Sequence, residues 1–206
     1  MKLFGHPLSP CTRKVKMTLA EKGAQADFSL VDLPAGEHKT TQHRQRHPFA
    51  FIPVLEDDGF VLYESRAIIR HLDRTLPGPS LVPAAPRDVA RMDQWLSVDQ
   101  AYVAPSTRVL AVERFVKRHH GEAEDRAATA EAETQLRQAL AVIDRALGES
   151  PYLAGLALSL ADVSLAPYVA SLPLLGAEHL MADVPRLSAW WSSIRARPSW
   201  EATVAA

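Results

Sequence analysis

Hydrophobic positions in the first third of the chain alternate between strand-like and helix-like spacing. Short apolar runs bounded by turn residues predict four strands, at 2–4, 28–31, 52–55 and 60–62. Apolar residues at helical spacing predict two helices, at 14–21 and 65–76. The order is strand, helix, strand, and then a hairpin followed by a helix. It predicts a mixed sheet with helices packed against it.

The pattern changes character after residue 76. Residues 77–86 contain four prolines and one glycine, which interrupt both helices and central strands. Beyond them a run with helical spacing continues toward Gly121, with a kink expected at Pro105. Further helices are expected at 127–147, 160–174 and 185–195. The predicted organisation is a small α/β domain at 1–76, a linker at 77–86 and an all-helical domain at 87–206.

Charge and composition exclude several classes of protein. The 206 residues carry 23 Lys and Arg against 24 Asp and Glu, so the net charge of −1 provides no field for nucleic acid. No run approaches the roughly 20 apolar residues of a membrane span, and the first residues show no apolar signal segment. The single cysteine allows no intramolecular disulfide and no thiolate metal cluster. We therefore expect a cytoplasmic globular protein that binds neither nucleic acid nor membrane.

Candidate chemistry begins at Ser9-Pro10-Cys11, between the first strand and the first helix. Ser9 is placed as the N-cap and Pro10 as the first helical residue. The N–H groups and dipole of a helix N-terminus stabilise an anion, and a thiol placed there ionises more readily. Ser9 could act only as a cap, and Cys11 could be a reactive thiol or an inert buried one. The pattern predicts an anion site and leaves these alternatives open.

Three further segments carry residues that could hold a small charged ligand. Pro53 starts a strand, where proline is tolerated and where a cis bond can precede it. Ser65 is typical of an N-cap with Glu64 beside it, and the pair could hold a zwitterion. The segment 36–39, Gly-Glu-His-Lys, offers two donor side chains for a carboxylate. The eight histidines show no metal-ligand spacing, so we expect no metal.

Taken in this order, the segments resemble the glutathione S-transferase family over essentially the whole chain. The matching motifs are Ser9-Pro10-Cys11, the Pro53 loop, Glu64-Ser65, Tyr152-Leu153-Ala154-Gly155, the capping box from Ser159 to Asp162, and Arg197-Pro198-Ser199-Trp200. Within the family the chain is most similar to the phi class, on the stretches 36–39, 64–69 and 113–117. The resemblance implies an α/β thioredoxin-like N-terminal domain plus an all-α C-terminal domain, the architecture of cytosolic glutathione transferases.

The resemblance also implies roles for individual residues. Ser9 would be the catalytic hydroxyl, donating a hydrogen bond to the glutathione sulfur. The glutathione-binding residues would be, from the glycyl carboxylate to the γ-glutamyl end, His38, Lys39, Ile52, Pro53, Glu64 and Ser65. The backbone of Ile52, before an expected cis-Pro53, would pair with the cysteinyl portion as an added strand does. The walls of an apolar electrophile site would be Leu8, Pro10, Tyr102, Ser106, Leu110 and Phe115.

The implied reaction is attack of the glutathione thiolate on a hydrophobic electrophile, with glutathione as co-substrate, in a homodimer without a metal. One departure bears on it: 47–53 reads His-Pro-Phe-Ala-Phe-Ile-Pro, and Phe51 replaces a glutamine that normally helps to hold glutathione. A non-catalytic ligand-binding carrier of the same fold is therefore an alternative. A glutathione-dependent isomerase of zeta type and a thiol transferase using Cys11 are two more, and a peroxidase side activity is left open.

Overall fold

A computed structural model describes residues 1–204, which divide into two compact units. The first unit contains Met1–Val82 together with residues 195–204, and the second contains Pro83–Ile194. The strands are β1 (Lys2–Gly5), β2 (Asp27–Leu30), β3 (Val54–Asp57) and β4 (Phe60–Tyr63). The α-helices are α1 (Pro10–Glu21), α2 (Thr41–Arg46), α3 (Ser65–Thr75), α4 (Pro86–Val98), α5 (Ala104–Ala111), α6 (Lys117–His119), α7 (Arg126–Ala146), α8 (Leu160–Ser171), α9 (Pro185–Arg195) and α10 (Pro198–Val204).

The sheet of the first unit is mixed, as the sequence predicts. Its strand order is β2-β1-β3-β4. β1 pairs with β2 in parallel and with β3 antiparallel, so Leu3 lies between Phe28 and Leu55. β3 and β4 form the predicted hairpin around Asp58 and Gly59. This architecture confirms the expected small α/β unit followed by a helical one.

The core of the first unit consists of buried apolar side chains from its strands and helices. Phe4, Val31 and Val54 form a buried apolar cluster against which Ile52 and Tyr63 pack. α3 contributes a fully buried face through Ile68, Ile69 and Leu72, and α1 packs against α3. Fully burying an aliphatic side chain stabilises the fold by about 1.5–3 kcal/mol. These contacts hold the amino termini of α1 and α3 in place.

Helical structure in the second unit is continuous from Pro86 to His119. Two π-helical turns, Asp99–Val103 and Val112–Val116, separate α4, α5 and α6. The first of these turns ends two residues before Pro105, where the sequence predicts a kink, and a wider turn there accommodates the missing N–H group of the proline. The helices predicted at 127–147, 160–174 and 185–195 correspond to α7, α8 and α9.

The predicted capping box precedes α8. Both carboxylate oxygens of Asp162 are used: Oδ1 accepts from the Leu153 amide and the Trp190 indole N–H, each at 3.0 Å. Oδ2 accepts from the Ser159 amide at 2.9 Å and from its hydroxyl at 2.8 Å. Asp162 is fully buried, so these four donors replace the water it has lost. The motif therefore has a structural role in this fold.

The division of the chain into units differs from the expected domain boundaries, because the last helix, α10, belongs to the first unit. The sequence suggests a second domain that runs to residue 206, whereas α10 packs against α1 in the first unit. The Arg197 guanidinium donates to both carboxylate oxygens of Glu21, at 2.8 and 3.0 Å. Lys16 Nζ donates to the Thr203 carbonyl at 3.3 Å. Charged residues on α1, which carry no apolar signal, therefore hold the carboxyl-terminal segment.

The expected linker also differs from what its proline content suggests. Lys22 Nζ donates to the Asp73 carboxylate at 3.2 Å and to the Pro79 carbonyl at 2.9 Å. The same carboxylate accepts from the Leu81 amide at 2.8 Å, and Leu81 is buried. A buried ion pair thus ties this segment to the first unit. The last residue of the segment, Pro86, is the first residue of α4.

Candidate active site

The amino terminus of α1 is built around Ser9. Its backbone is extended (φ −72°, ψ 122°) and its Oγ accepts a hydrogen bond from the Thr12 amide at 3.3 Å, while Pro10 occupies the first turn. This confirms Ser9 as the N-cap of α1. A serine hydroxyl has two lone pairs and one hydrogen, so accepting from an amide leaves that hydrogen to be donated elsewhere. The geometry therefore suits a group that caps the helix and also binds an anion.

Close packing of Gly5 on Thr12 determines how near the end of β1 lies to α1. A Cβ at Gly5 would lie 2.6 Å from both Cγ2 and Oγ1 of Thr12, which is a severe overlap. Thr12 is fully buried, and its Oγ1 accepts from the His6 amide at 3.3 Å. Only glycine lets the strand end this close to the first turn of α1. Cys11 lies half-buried on the same turn, two residues beyond Ser9.

The loop before β3 contains the cis bond expected before Pro53. The Ile52–Pro53 peptide is cis, Pro53 is buried and Ile52 is half-buried. Ala50 adopts a left-handed backbone (φ 57°), which a residue with a Cβ rarely does. His43 Nε2 lies 2.8 Å from the Phe51 carbonyl oxygen. Since a carbonyl can only accept, Nε2 carries the hydrogen of this bond.

The amino terminus of α3 carries a second strained residue. Glu64 has φ 71° and ψ 106°, occupies the N-cap position and is exposed. Ser65 is the first helical residue and is buried, so the sequence-based placement of Ser65 as the cap was wrong by one position. A non-glycine residue held in such a conformation costs about 1–3 kcal/mol and is typical of ligand-binding positions.

A single 3-10 turn, Glu37–Lys39, presents the two expected donor side chains, His38 and Lys39. The Glu37 carboxylate accepts from the Asp32 amide at 2.8 Å and so fixes the turn. His38 is half-buried and Lys39 is exposed. Burial, reinforced by the positive charges of Lys39, His43 and Arg44, lowers the pKa of His38 below its ordinary 6.5. This concentration of positive charge favours a carboxylate ligand.

Comparison with known proteins agrees with these elements. Models of the glutathione S-transferase N-terminal and C-terminal domains match residues 8–75 and 99–198. Glutathione S-transferase F7 of Arabidopsis thaliana is 33% identical over 201 residues, covering 97% of this chain and 96% of its own length. The chain belongs to the glutathione S-transferase family. The phi-class resemblance is confirmed as well.

Solved structures of the family match over nearly the full length. Glutathione transferase F7 from Populus trichocarpa superposes with a TM-score of 0.91 at 31% identity, covering 98% of this chain and 96% of its own. Glutathione S-transferase I from mais, in complex with an atrazine glutathione conjugate, gives 0.88 at 27% identity, with 98% and 95% covered. Together with the curated relatives, these matches confirm the prediction of a glutathione transferase.

The residues expected to line an electrophile site fall into two groups by exposure. Leu8, Tyr102 and Phe115 are 46%, 61% and 49% exposed, and Pro10 is half-buried. Ser106 and Leu110 are buried, and the Ser106 hydroxyl donates to the Tyr102 carbonyl of its own helix at 3.2 Å. The exposed members are free to contact a ligand. The role of all six stays a prediction.

Two histidines near the Pro53 loop were missed by sequence reasoning as members of the site region. His43 is 4% exposed, and His47 is 2% exposed with no hydrogen-bond partner for Nδ1 among residues 1–204. The His47 ring packs on Tyr63 at 4.7 Å between centroids and on Phe51 at 5.9 Å. Burial lowers the pKa of His47, partly opposed by the charge of Glu64. Nothing in the polar stretch 40–47 signals that two of its side chains are buried.

Residues 1–204 contain no group of three or more His, Cys, Asp or Glu side chains arranged to hold a metal ion. None of the helices in that range combines the length and apolar character needed to cross a bilayer.

Proposed function

We propose that this chain conjugates glutathione to hydrophobic electrophiles and that the Ser9 hydroxyl stabilises the glutathione thiolate. The observation that carries the proposal is the geometry of Ser9. Its Oγ is committed as acceptor to the Thr12 amide, which leaves its hydrogen for the sulfur at the positive end of α1. Family membership supports the choice of glutathione as co-substrate.

The hydrogen bond and the helix dipole at the start of α1 can supply the free energy needed to lower the pKa of the glutathione thiol. A free thiol with a pKa of about 8.5 is only a few per cent thiolate at neutral pH. Lowering the pKa by about two units makes the thiolate dominant and requires about 2.7 kcal/mol of preferential anion stabilisation. A hydrogen bond to a charged group supplies about 1.5–3 kcal/mol and a helix dipole up to about 2. The two contributions together are sufficient.

The rest of the tripeptide is assigned to the other expected residues. Glu64 and Ser65, at the strained start of α3, bind the γ-glutamyl end, and the exposed Glu64 carboxylate pairs with its ammonium group. The Ile52 backbone before Pro53 pairs with the cysteinyl portion. His38 and Lys39 hold the glycyl carboxylate. Each segment is fixed by the fold before the ligand arrives, which reduces the entropic cost of binding.

In the proposed reaction the thiolate sulfur forms a bond to an electrophilic carbon, and the leaving group departs with the electron pair of the bond that breaks. The thiol proton is released to solvent when glutathione binds as the thiolate. Serine suits the donor role better than Cys11, because a hydroxyl forms no mixed disulfide with the substrate thiol. The walls of the electrophile site stay the expectation that the family resemblance implies. A homodimer and a cytoplasmic location remain our expectations.

A non-catalytic carrier is the alternative that Phe51 suggests, and the comparisons with known transferases do not favour it. Its phenyl ring, 45% exposed, takes the place of the glutamine that the family pattern has at this position, and it can make no hydrogen bond to glutathione. The isomerase and the Cys11-dependent thiol transferase have no comparable observation in their support.

One pair of measurements separates the transferase from the carrier. Glutathione is titrated calorimetrically into the purified protein, and the rate of conjugation to a halogenated aromatic is followed at saturating glutathione. The transferase gives binding below millimolar concentration and a rate well above that of free glutathione. Absence of binding at millimolar glutathione overturns the proposal. Binding without acceleration of any electrophile tested leaves the carrier as the better description.

A further inference from the structure

His43 connects α2 to the loop that precedes β3. The Thr40 hydroxyl caps α2 by accepting from the His43 amide at 3.3 Å. From this helix the buried imidazole donates through Nε2 to the Phe51 carbonyl at 2.8 Å. A carbonyl that loses such a donor where water does not replace it costs about 1–3 kcal/mol, so this bond favours one orientation of the Phe51 carbonyl.

The orientation of that carbonyl determines where the next amide points. The Phe51–Ile52 peptide bond is trans, and the only cis bond found in residues 1–204 is the one that follows it. In a planar trans peptide the C=O and N–H groups point in opposite directions. Since the Phe51 carbonyl is directed toward the buried His43, the Ile52 N–H is directed away from that buried side chain. The amide assigned to the cysteinyl portion of glutathione is thus aimed by a bond on the opposite side of the peptide.

The loop depends on this main-chain bond because its own side chains give little polar support. Phe51 has a phenyl ring with no hydrogen-bonding group. His47 is buried against aromatic rings, and its Nδ1 has no hydrogen-bond partner among residues 1–204. Ala50 holds a left-handed backbone that alanine does not favour. A fixed contact is needed to keep such a loop in one conformation.

We propose that His43 is a positioning residue for glutathione binding: by donating to the Phe51 carbonyl it orients the Ile52 N–H for the cysteinyl backbone of the ligand. The inference rests on the proposed function, because it assigns a ligand to Ile52. It adds a residue outside the expected site, whose side chain acts through the peptide and touches no part of glutathione.

The test compares two substitutions at one position. His43→Phe keeps a ring of similar size and removes the donor, whereas His43→Gln keeps an N–H donor near the position of Nε2. We expect His43→Phe to raise the Kd and KM for glutathione about tenfold, with kcat at saturating glutathione within about twofold of the parent. His43→Gln is expected to recover most of the affinity. His71→Phe is the matched control, because His71 packs on Phe60 in the same unit and has no assigned role.

Amide hydrogen exchange of the parent protein provides a second readout. Glutathione should slow exchange of the Ile52 N–H in the parent and in His43→Gln, and should leave it unprotected in His43→Phe. A parent whose Ile52 amide is not slowed by saturating glutathione overturns the inference, even if His43→Phe does not fold. So does a folded His43→Phe that binds glutathione as tightly as the parent. Failure of the proposed function is distinct, because the parent would then neither bind nor conjugate glutathione.

Discussion

Replacing Ser9 by alanine tests the chemical core of the proposed mechanism. The change removes one hydroxyl that has two functions, accepting from the Thr12 amide and donating to the bound sulfur. We expect Ser9→Ala to bind glutathione nearly as well as the parent and to lose most of the conjugation rate at neutral pH. Ser9→Thr keeps a hydroxyl at the cap and is the matched control.

The magnitude follows from the two functions. The capping bond is long at 3.3 Å, so its loss should lower the free energy of unfolding by no more than about 1 kcal/mol. The bond to a thiolate is charge-assisted and worth about 1.5–3 kcal/mol, which corresponds to a rise of about one to two units in the pKa of bound glutathione. At neutral pH the thiolate fraction, and with it the rate, should fall by roughly 3-fold for a rise of one unit and roughly 25-fold for a rise of two.

The assay is a pH–rate profile of kcat, combined with the ultraviolet absorbance of the thiolate in the binary complex. The alkaline shift of the profile in Ser9→Ala should equal the shift of the absorbance titration. An unchanged titration midpoint in a folded Ser9→Ala protein would refute the assignment of Ser9. If Cys11→Ala abolishes activity while Ser9→Ala does not, Cys11 is the functional group and the serine mechanism is wrong.

Three further predictions concern ionisable groups in the first unit. Asp73→Ala leaves the Lys22 ammonium buried without its carboxylate and should lower the free energy of unfolding by about 3–5 kcal/mol, as measured by denaturant titration. The double variant Asp73→Leu with Lys22→Met should lower the free energy of unfolding by less, because it leaves no unpaired buried charge. Burial raises the pKa of Glu21, but hydrogen bonds from Arg197 and a neighbouring serine outweigh it and the net pKa is lowered. The stability that Glu21 contributes is therefore present at neutral pH and lost as pH falls below its ordinary 4.5, a slope that Arg197→Ala should flatten. Burial and nearby positive charges lower the pKa of His38, so its neutral form dominates at pH 7. Glutathione affinity should therefore rise as pH falls through that pKa. Calorimetry should show that glutathione binding is accompanied by proton uptake, and His38→Gln should abolish this uptake.

Helices and strands with a strong hydrophobic periodicity, or with recognisable capping or turn residues at their ends, could be predicted from the sequence. Ser9 and Pro10 locate the start of α1 because capping is a local interaction, and the motif from Ser159 to Asp162 locates α8 for the same reason. The hairpin around Gly59 follows from turn chemistry and flanking apolar residues. In each case the decisive contacts lie within a few residues along the chain.

Features that depend on contacts between distant residues could not be predicted. α2 is short and polar, and its buried histidine is recognisable only once Phe51 lies next to it. α10 joins the first unit through Arg197 and Glu21, which are 176 residues apart, and no local pattern pairs them. Whether Glu64 or Ser65 occupies the N-cap position of α3 depends on the strained backbone of Glu64, which the residue types in this segment do not reveal. Tertiary packing decided all three.

The attachment of α10 to α1 has a consequence for biosynthesis. Chains emerge from the ribosome amino terminus first, and domains generally fold as they emerge. Here residues 198–204 leave the tunnel after residues 1–197, so α10 can dock in the unit that contains Ser9 only after the second unit has been synthesised. A nascent chain halted before Arg197 would expose the surface of α1 that α10 covers, including the Glu21 carboxylate.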